Sequence, residues 1–306
     1  MRLPSPFPFP QQRSQGYGGG RSLFGRSSDG RSSGLKARLL IALAIVAFAV
    51  ISYYAKPGDL NEVTGETERV ALIEPGDEIQ LGLQAAPEMI DMHGGPSRDG
   101  RGQRQVQEVG DQLLAALDVD LRQHDRTNPY REAFRFTLLA DPQTVNAFAL
   151  PGGPVFITQA LYDKFTTKGQ LAGVLGHEIG HVLARHANKQ MARQGMFQGI
   201  AGAVGVLGGD MNSAQMGQMV SSVLSTSYGR DAELESDKWG VRLMAMAGYD
   251  PNSMIQVMEI LDEASGGRGG PPEFLSTHPK PANRVEYIKK VIAEEFPNGV
   301  PAGLEP

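Results

Sequence analysis

Gln170-Leu-Ala-Gly-Val-Leu-Gly-His-Glu-Ile-Gly-His-Val-Leu-Ala184 is the stretch on which fold and chemistry both turn. Leu171, Val174, Leu175, Val182 and Leu183 recur at helical spacing and predict a buried helix. His177 and His181 are four residues apart, so both imidazoles leave one face and can hold a single ion. Glu178 leans over the remaining coordination position, where it can take a proton from water. The ion's contribution would be to lower the pKa of that water and to polarise a scissile carbonyl. A five-residue pattern with two free positions also arises by chance, so a separate source of the missing ligand decides between chemistry and coincidence.

That source is Tyr228-Gly-Arg-Asp-Ala-Glu-Leu-Glu-Ser-Asp237. Glu233 and Asp237 again share a helical face. Glu233 can complete a two-His, one-Glu zinc site with water in the open position. Asp237, one turn on, can accept the N–H of a ligating imidazole and fix its tautomer. Glu235 competes for the ligand role but falls on the far side of the helix from Asp237. Taken alone, the cluster reads as a solvated acidic face; paired with His177-Glu178-x-x-His181 upstream, it reads as a metal site.

Composition narrows the alternatives. The 306 residues contain no Cys, which removes thiolate ligands, disulfides and a cysteine nucleophile together. Any metal must be held by His, Asp or Glu. A formal net charge of −5 gives no basic footprint for nucleic acid. Hydrophobic content of 41% and charged content of 21% describe a globular chain.

Working outward toward the N-terminus, residues 1–38 are rich in Pro, Gly, Ser and Arg, with Asp29 the only acid. They read as a disordered basic tail. No charge occurs from Leu39 to Ala55, a run at the short end of what crosses a bilayer, and Tyr53 and Tyr54 fit an interfacial belt. No small-x-small cleavage site follows, so 39–55 is expected to remain as a transmembrane signal anchor. Arg21, Arg26, Arg31, Lys36 and Arg38 precede it. The positive-inside rule then leaves the N-terminus cytoplasmic and the catalytic part on the outer, periplasmic side. An Arg- and Ser-rich, acid-poor leader also suits an organelle, with the mitochondrial inner membrane as the alternative.

Residues 56–104 read as a linker and the loosely ordered start of a domain that runs over 105–292, with 293–306 as a C-terminal tail. From Gln105, Val106, Val109, Leu113, Leu114 and Leu117 predict an amphipathic helix. Phe134–Ala140 reads as a strand ended by Asp141-Pro142; Val145–Leu150 and Val155–Thr158 read as two more, joined by Pro151-Gly-Gly-Pro154. Met191–Thr226, rich in Gly, Ala and Met, predicts a helical pair over the active-site helix, or alternatively a gating flap. His186, five residues past His181, is expected to point away from the site. His93 and His124 have no partner pattern.

The two motifs together resemble the M48 family of membrane-associated zinc peptidases, gluzincins whose third ligand is a helical Glu. Asn146-Ala-Phe-Ala-Leu-Pro-Gly-Gly153 resembles the strand and turn before the family's active-site helix. Ala247-Gly-Tyr-Asp-Pro251 resembles the segment after the Glu helix, and Ser276-Thr-His-Pro279 with Arg284 resembles the C-terminal motif. The nearest subgroup is the quality-control kind, mitochondrial or bacterial periplasmic. Ser236 departs from the pattern, where a small apolar Ala is more usual.

The resemblance implies an α+β, mostly helical zincin-like domain with a small β-sheet, holding one Zn2+ per chain on His177, His181 and Glu233. Glu178 and His278 are the implied catalytic pair, with His278 either stabilising the oxyanion or occupying the open coordination position as a latch. Asp237 and Arg284 support them. Asn146, Ala147, Phe148 and Ala149 would take an unfolded or misfolded protein substrate as an added strand. Two other readings stay open: a zinc-binding, chaperone-like module with little proteolysis, and a zinc hydrolase of a non-protein cell-envelope substrate.

Overall fold

The computed structural model describes residues 58–70, 74–201, 227–265, 272–278 and 284–306, together with Ala47, Ile51, Tyr54 and Ala55; side chains are described outside 195–201. The chain divides between Ile45 and Val46, and every described residue belongs to the second unit. Most of the expected span 39–55 lies outside the described residues, although Ala47, Ile51, Tyr54 and Ala55 are helical. No helix among the described residues is long and apolar enough to cross a membrane. Most of the helical pair expected within 191–226 also lies outside them.

The architecture is mostly helical with two small sheets. A two-stranded ribbon, β1 (Asp59–Leu60) and β2 (Thr67–Glu68), precedes helices α1 (Pro75–Met92) and α2 (Gly100–Gln123). Three strands follow: β3 (Arg135–Leu139), β4 (Ala147–Ala149) and β5 (Pro154–Thr158). The remaining helices are α3 (Gln159–Tyr162), α4 (Lys168–Leu183), α5 (His186–Ala201), α6 (Arg230–Met246), α7 (Ser253–Ser265), α8 (Glu273–Thr277) and α9 (Arg284–Glu295).

Where the sequence suggests a linker, the structure has the ribbon and an 18-residue helix. Helix α1 buries Leu81, Ala85 and Met89 on one stripe, packed with Phe148, Phe156 and Met191. Its signal is weak because Pro87 lies inside it and the buried stripe has few large side chains. Glu78 of α1 is buried too, balanced by a charge more than a hundred residues away: Arg185 Nε donates to Glu78 Oε1 at 2.7 Å.

Helix α2 starts at Gly100, five residues before the hydrophobic pattern, because Asp99 caps it and accepts from the backbone N–H of Arg101 and Gly102. Its predicted stripe, Val106, Val109, Leu113, Leu114 and Leu117, is wholly buried. In the three-stranded sheet, ordered β3-β5-β4, β5 runs parallel to β3 and antiparallel to β4. Strand β4 therefore forms one edge. Thr158 N donates to Asn146 O and Leu150 N to Pro154 O, so by the antiparallel alternation the main-chain groups of Ala147 and Ala149 face away from β5.

Helix α4 lies at the centre and is buried on every side from Gly169 to Leu183. A capping box fixes its start: Thr167 accepts from Gln170 N while the Gln170 side chain returns to the Thr167 N–H. Its closest neighbour is α6. A methyl at Gly176 would sit 3.2 Å from Gly240 Cα, and one at Gly180 would sit 3.1 Å from Ser236 Cα and 2.9 Å from Trp239 Cβ. The residues just before each histidine must therefore be small for α6 to come this near.

Candidate metal centre

That close approach brings four donors, from two helices and the C-terminal end of a third, to a single point. His177 and His181 come from α4, Glu233 from the first turn of α6, and His278 from the C-terminal end of α8; their ligand atoms all lie within 4.8 Å of one another. His177 Nε2 lies 3.0 Å from His181 Nε2 and 3.3 Å from His278 Nδ1. Glu233 is 3.6 Å from His177 Nε2, 3.5 Å from His181 Nε2 and 3.0 Å from His278 Nδ1.

These separations fit a metal ion. Donors at the corners of a tetrahedron, each about 2.0–2.1 Å from a central zinc, lie about 3.3 Å apart. Two imidazole nitrogens facing each other at 3.0 Å with both lone pairs inward would repel, and a cation between them removes the conflict. Glu178 Oε1 and Glu233 Oε2 are buried and make no hydrogen bond, although His278 Nε2 stands 3.5 Å from the first and Arg284 Nη1 3.1 Å from the second, so each keeps acceptor capacity for a further partner.

The outer partners orient the rings. His177 Nδ1 is 2.9 Å from Asp237 Oδ1, and an ionised carboxylate can only accept, so His177 is Nδ1–H with its Nε2 lone pair inward. Arg284, at the start of α9, also holds Asp237, through Nε and Nη2 at 2.7 and 2.8 Å; its Nη2 lies against the His177 ring, 3.1 Å from Nδ1, and its Nη1 is 3.1 Å from Glu233 Oε2. Asp237 thus stands behind His177, and Arg284 lies in a buried ion pair with that carboxylate.

Burial and pairing shift the charges. Burial pushes the Glu178 carboxyl above its ordinary value, against the pull of His278 and His177. It would raise Glu233 as well, but His278 and His181 hold that carboxyl well below the usual range. Burial also drives His181 down, while His278 is raised, the attraction of Glu233 and Glu178 outweighing desolvation.

His186 requires a correction. It does not point away: its Nδ1 is 2.9 Å from His181 Nδ1. The five-residue spacing assumes one continuous helix, but α4 ends at Leu183 and Arg185 turns left-handed at φ 53°, so α5 starts afresh and carries His186 back over His181. Glu235, off the Asp237 face as expected, accepts from His186 Nε2 at 3.1 Å. His93 and His124 do have partners, Asp141 at 3.0 Å and the Asp120 carbonyl at 2.8 Å, but both lie away from the centre. Tyr228, to which the sequence assigned no role, lays its ring 4.3 Å from that of His181.

The centre is closed. His177, Glu178, His181, Glu233 and His278 are each at most 3% exposed. Between His181, Tyr228, Ala149 of β4 and the following Leu150 lies a cavity of about 10 Å³, room for roughly one water. Asn146, Ala147, Phe148 and Ala149 are buried as well, and Asn146 Nδ2 donates to Glu273 of α8 at 3.3 Å.

Sequence comparison agrees with this geometry. The model of peptidase family M48 matches residues 101–292, which include His177, His181, Glu233 and His278. The beta-barrel assembly-enhancing protease of Yersinia pestis is 35% identical over 168 residues, 52% of this chain and 34% of that protein. Its Escherichia coli counterpart is 32% identical over 183 residues, 57% of this chain and 37% of that protein. The mitochondrial metalloendopeptidase OMA1 of Schizosaccharomyces pombe is 32% identical over 159 residues, 51% of this chain and 46% of that protein. The chain thus spans between about a third and a half of the length of these relatives.

Proposed function

The chain belongs to peptidase family M48, and from that premise we propose that it is a membrane-anchored zinc endopeptidase that cuts unfolded or misfolded proteins. The observation that carries the reading is the convergence of His177, His181 and Glu233 on one point beside Glu178, whose Oε1 is buried and makes no hydrogen bond. Zinc, when bound by these three, supplies a water of lowered pKa and a polarised carbonyl.

The chain's own residues supply the rest. Glu178 accepts the water's proton as the carbonyl is attacked and returns it to the departing amine. Burial, which raises the Glu178 carboxyl, suits it to both halves of that exchange. The outward main-chain groups of Ala147 and Ala149 hold an extended substrate as a fourth strand, and Asn146 and Phe148 frame it. Asp237, held by Arg284, keeps His177 in the ligating tautomer.

The closed centre favours a latent form of this enzyme. His278 lies within reach of the other three donors and also faces Glu178, its Nε2 being 3.5 Å from Oε1. In this form His278 would hold the ion as a further donor and so act as a latch. Once the α8 end moves, the same ring is close enough to stabilise the oxyanion.

The charge-free run 39–55 with its basic flank is the anchor, leaving the N-terminus cytoplasmic and the peptidase on the outer face. The relatives' names, a beta-barrel assembly-enhancing protease and a mitochondrial metalloendopeptidase, fit either a bacterial envelope or a mitochondrial setting with protein substrates.

The test is cleavage of casein by the full chain in detergent with zinc, beside Glu178→Gln. The variant should keep its zinc and lose at least about a hundredfold in turnover. Equal cleavage by both proteins would overturn the mechanism. Stoichiometric casein binding without cleavage by either would favour a holding module instead.

A further inference from the structure

The two histidines of the active-site helix are backed differently. Behind His177 stands a carboxylate, Asp237, clamped by Arg284. Behind His181 stands a second imidazole: His186 Nδ1 at 2.9 Å, with His186 Nε2 in turn 3.1 Å from Glu235 Oε2. His181 and His186 are each 3% exposed, whereas the Glu235 side chain reaches the surface at 27%.

Proton positions follow from donor and acceptor inventory. Ionised Glu235 can only accept, so His186 donates from Nε2. A neutral imidazole that donates at Nε2 offers a lone pair at Nδ1, and that lone pair accepts the Nδ1–H of His181. The Ser236 hydroxyl, 3.3 Å from the same nitrogen, can add a second, longer bond. His181 is left with its lone pair on Nε2, the atom that faces His177 and Glu233. Were His186 to present N–H instead, His181 would have to put its lone pair outward and its proton toward the ion.

We propose that His186, fixed by Glu235, is the positioning residue of His181 and holds it in the one tautomer that can ligate the metal. The inference rests on the zinc-peptidase reading and extends it: each ligating imidazole has its own relay, and both relays end on carboxylates of α6. Because Glu235 is only half-buried, the second relay can be cut without opening the core.

The experiment measures zinc affinity by competition with a chromophoric chelator, using the full chain in detergent. Thermal unfolding of the metal-free protein runs alongside as the control for folding. His186→Leu should weaken zinc binding about ten- to a hundredfold. His186→Asn, whose Oδ1 can accept the same His181 N–H, should recover most of that loss. Glu235→Ala should weaken binding while leaving metal-free unfolding unchanged, and Glu235→Gln, still an acceptor, should restore it. Leu and Asn variants equally weak would assign the effect to packing and overturn the inference. So would a Glu235→Ala variant that binds zinc like the parent. A parent that binds no zinc would overturn both this inference and the enzyme reading, whereas variants matching a zinc-binding parent would overturn the inference alone.

Discussion

Replacing Arg284 with Met removes the guanidinium that lies 2.7 and 2.8 Å from the two oxygens of Asp237 and 3.1 Å from Glu233 Oε2. Met fills much of the same space, so the cavity cost is small and the charge cost dominates. Asp237 and Glu233 are both fully buried, and Arg284 itself is 2% exposed. Breaking a buried pair by deleting one partner costs about 3–5 kcal/mol, because the remaining charge has no water to turn to. In a domain of this size each kcal/mol moves the unfolding midpoint by about 2–4 °C, so metal-free Arg284→Met should melt about 6–20 °C lower. The assay is a calorimetric or circular-dichroism melt in chelator. The double variant Asp237→Leu/Arg284→Met separates charge from packing. Removing both members of the Asp237 pair should recover at least about 1 kcal/mol relative to the sum of the two single losses. A single variant melting within about 2 °C of the parent, or strictly additive losses, would refute the assignment of buried charge compensation to Arg284.

Gly152 sits at φ 77°, and a methyl there would meet Ile79 N and Cα at 2.4 and 2.5 Å, so Gly152→Ala should cost about 1–3 kcal/mol in a denaturant melt and loosen α1 first. Burial would raise the Asp141 carboxyl, but hydrogen bonds from Thr144, Gln143 and His93 hold it well below the usual range. The stability it adds is thus present above about pH 4 and lost as pH falls through its depressed value. The deficit of Asp141→Asn should accordingly be full at pH 6 and shrink as urea midpoints are followed below pH 4. His278→Ala should retain zinc on the other three donors and open the closed centre, so that initial casein cleavage rises if the latch outweighs the oxyanion role and falls if it does not; an unchanged rate would deny His278 both roles.

How much of this was legible depends on how local each signal is. The α4 helix, the α2 stripe and the β4–β5 hairpin are set by spacing and turn residues within a few positions, and all were readable. The convergence of His177, His181, Glu233 and Asp237 was readable because two i, i+4 pairs each place their side chains on one helix face. Helix α1 was not: Pro87 interrupts its pattern, and its buried Glu78 makes sense only once Arg185 arrives from the far end of α4. The return of His186 was hidden for another reason. The break between α4 and α5 falls at Ala184-Arg185, with no Gly, Pro or Asn to mark it, and a left-handed arginine is stabilised there by tertiary partners, Glu78 and Asp59. Periodicity extrapolated through an unmarked break assigns the next residues to the wrong face.

A charge count ties the separate parts of the centre together. Glu178, Glu233 and Asp237 bring three buried carboxylates into one volume, and Arg284 brings one buried cation in contact with Asp237 and Glu233. Two negative charges are left without a balancing cation, a deficit that a low-dielectric interior tolerates badly. A divalent cation held by His177, His181 and Glu233 offsets it in full while adding no side chain to the core. In its absence the deficit falls on the groups that can take up protons, and among them His278 and Glu178 are the two that their surroundings push upward. The same arithmetic accounts for the small residues on the helix seam. Only with Gly176, Gly180, Gly240 and Ser236 at the crossing can α6 bring Glu233 and Asp237 close enough to α4 for one ion and one arginine to balance all three carboxylates.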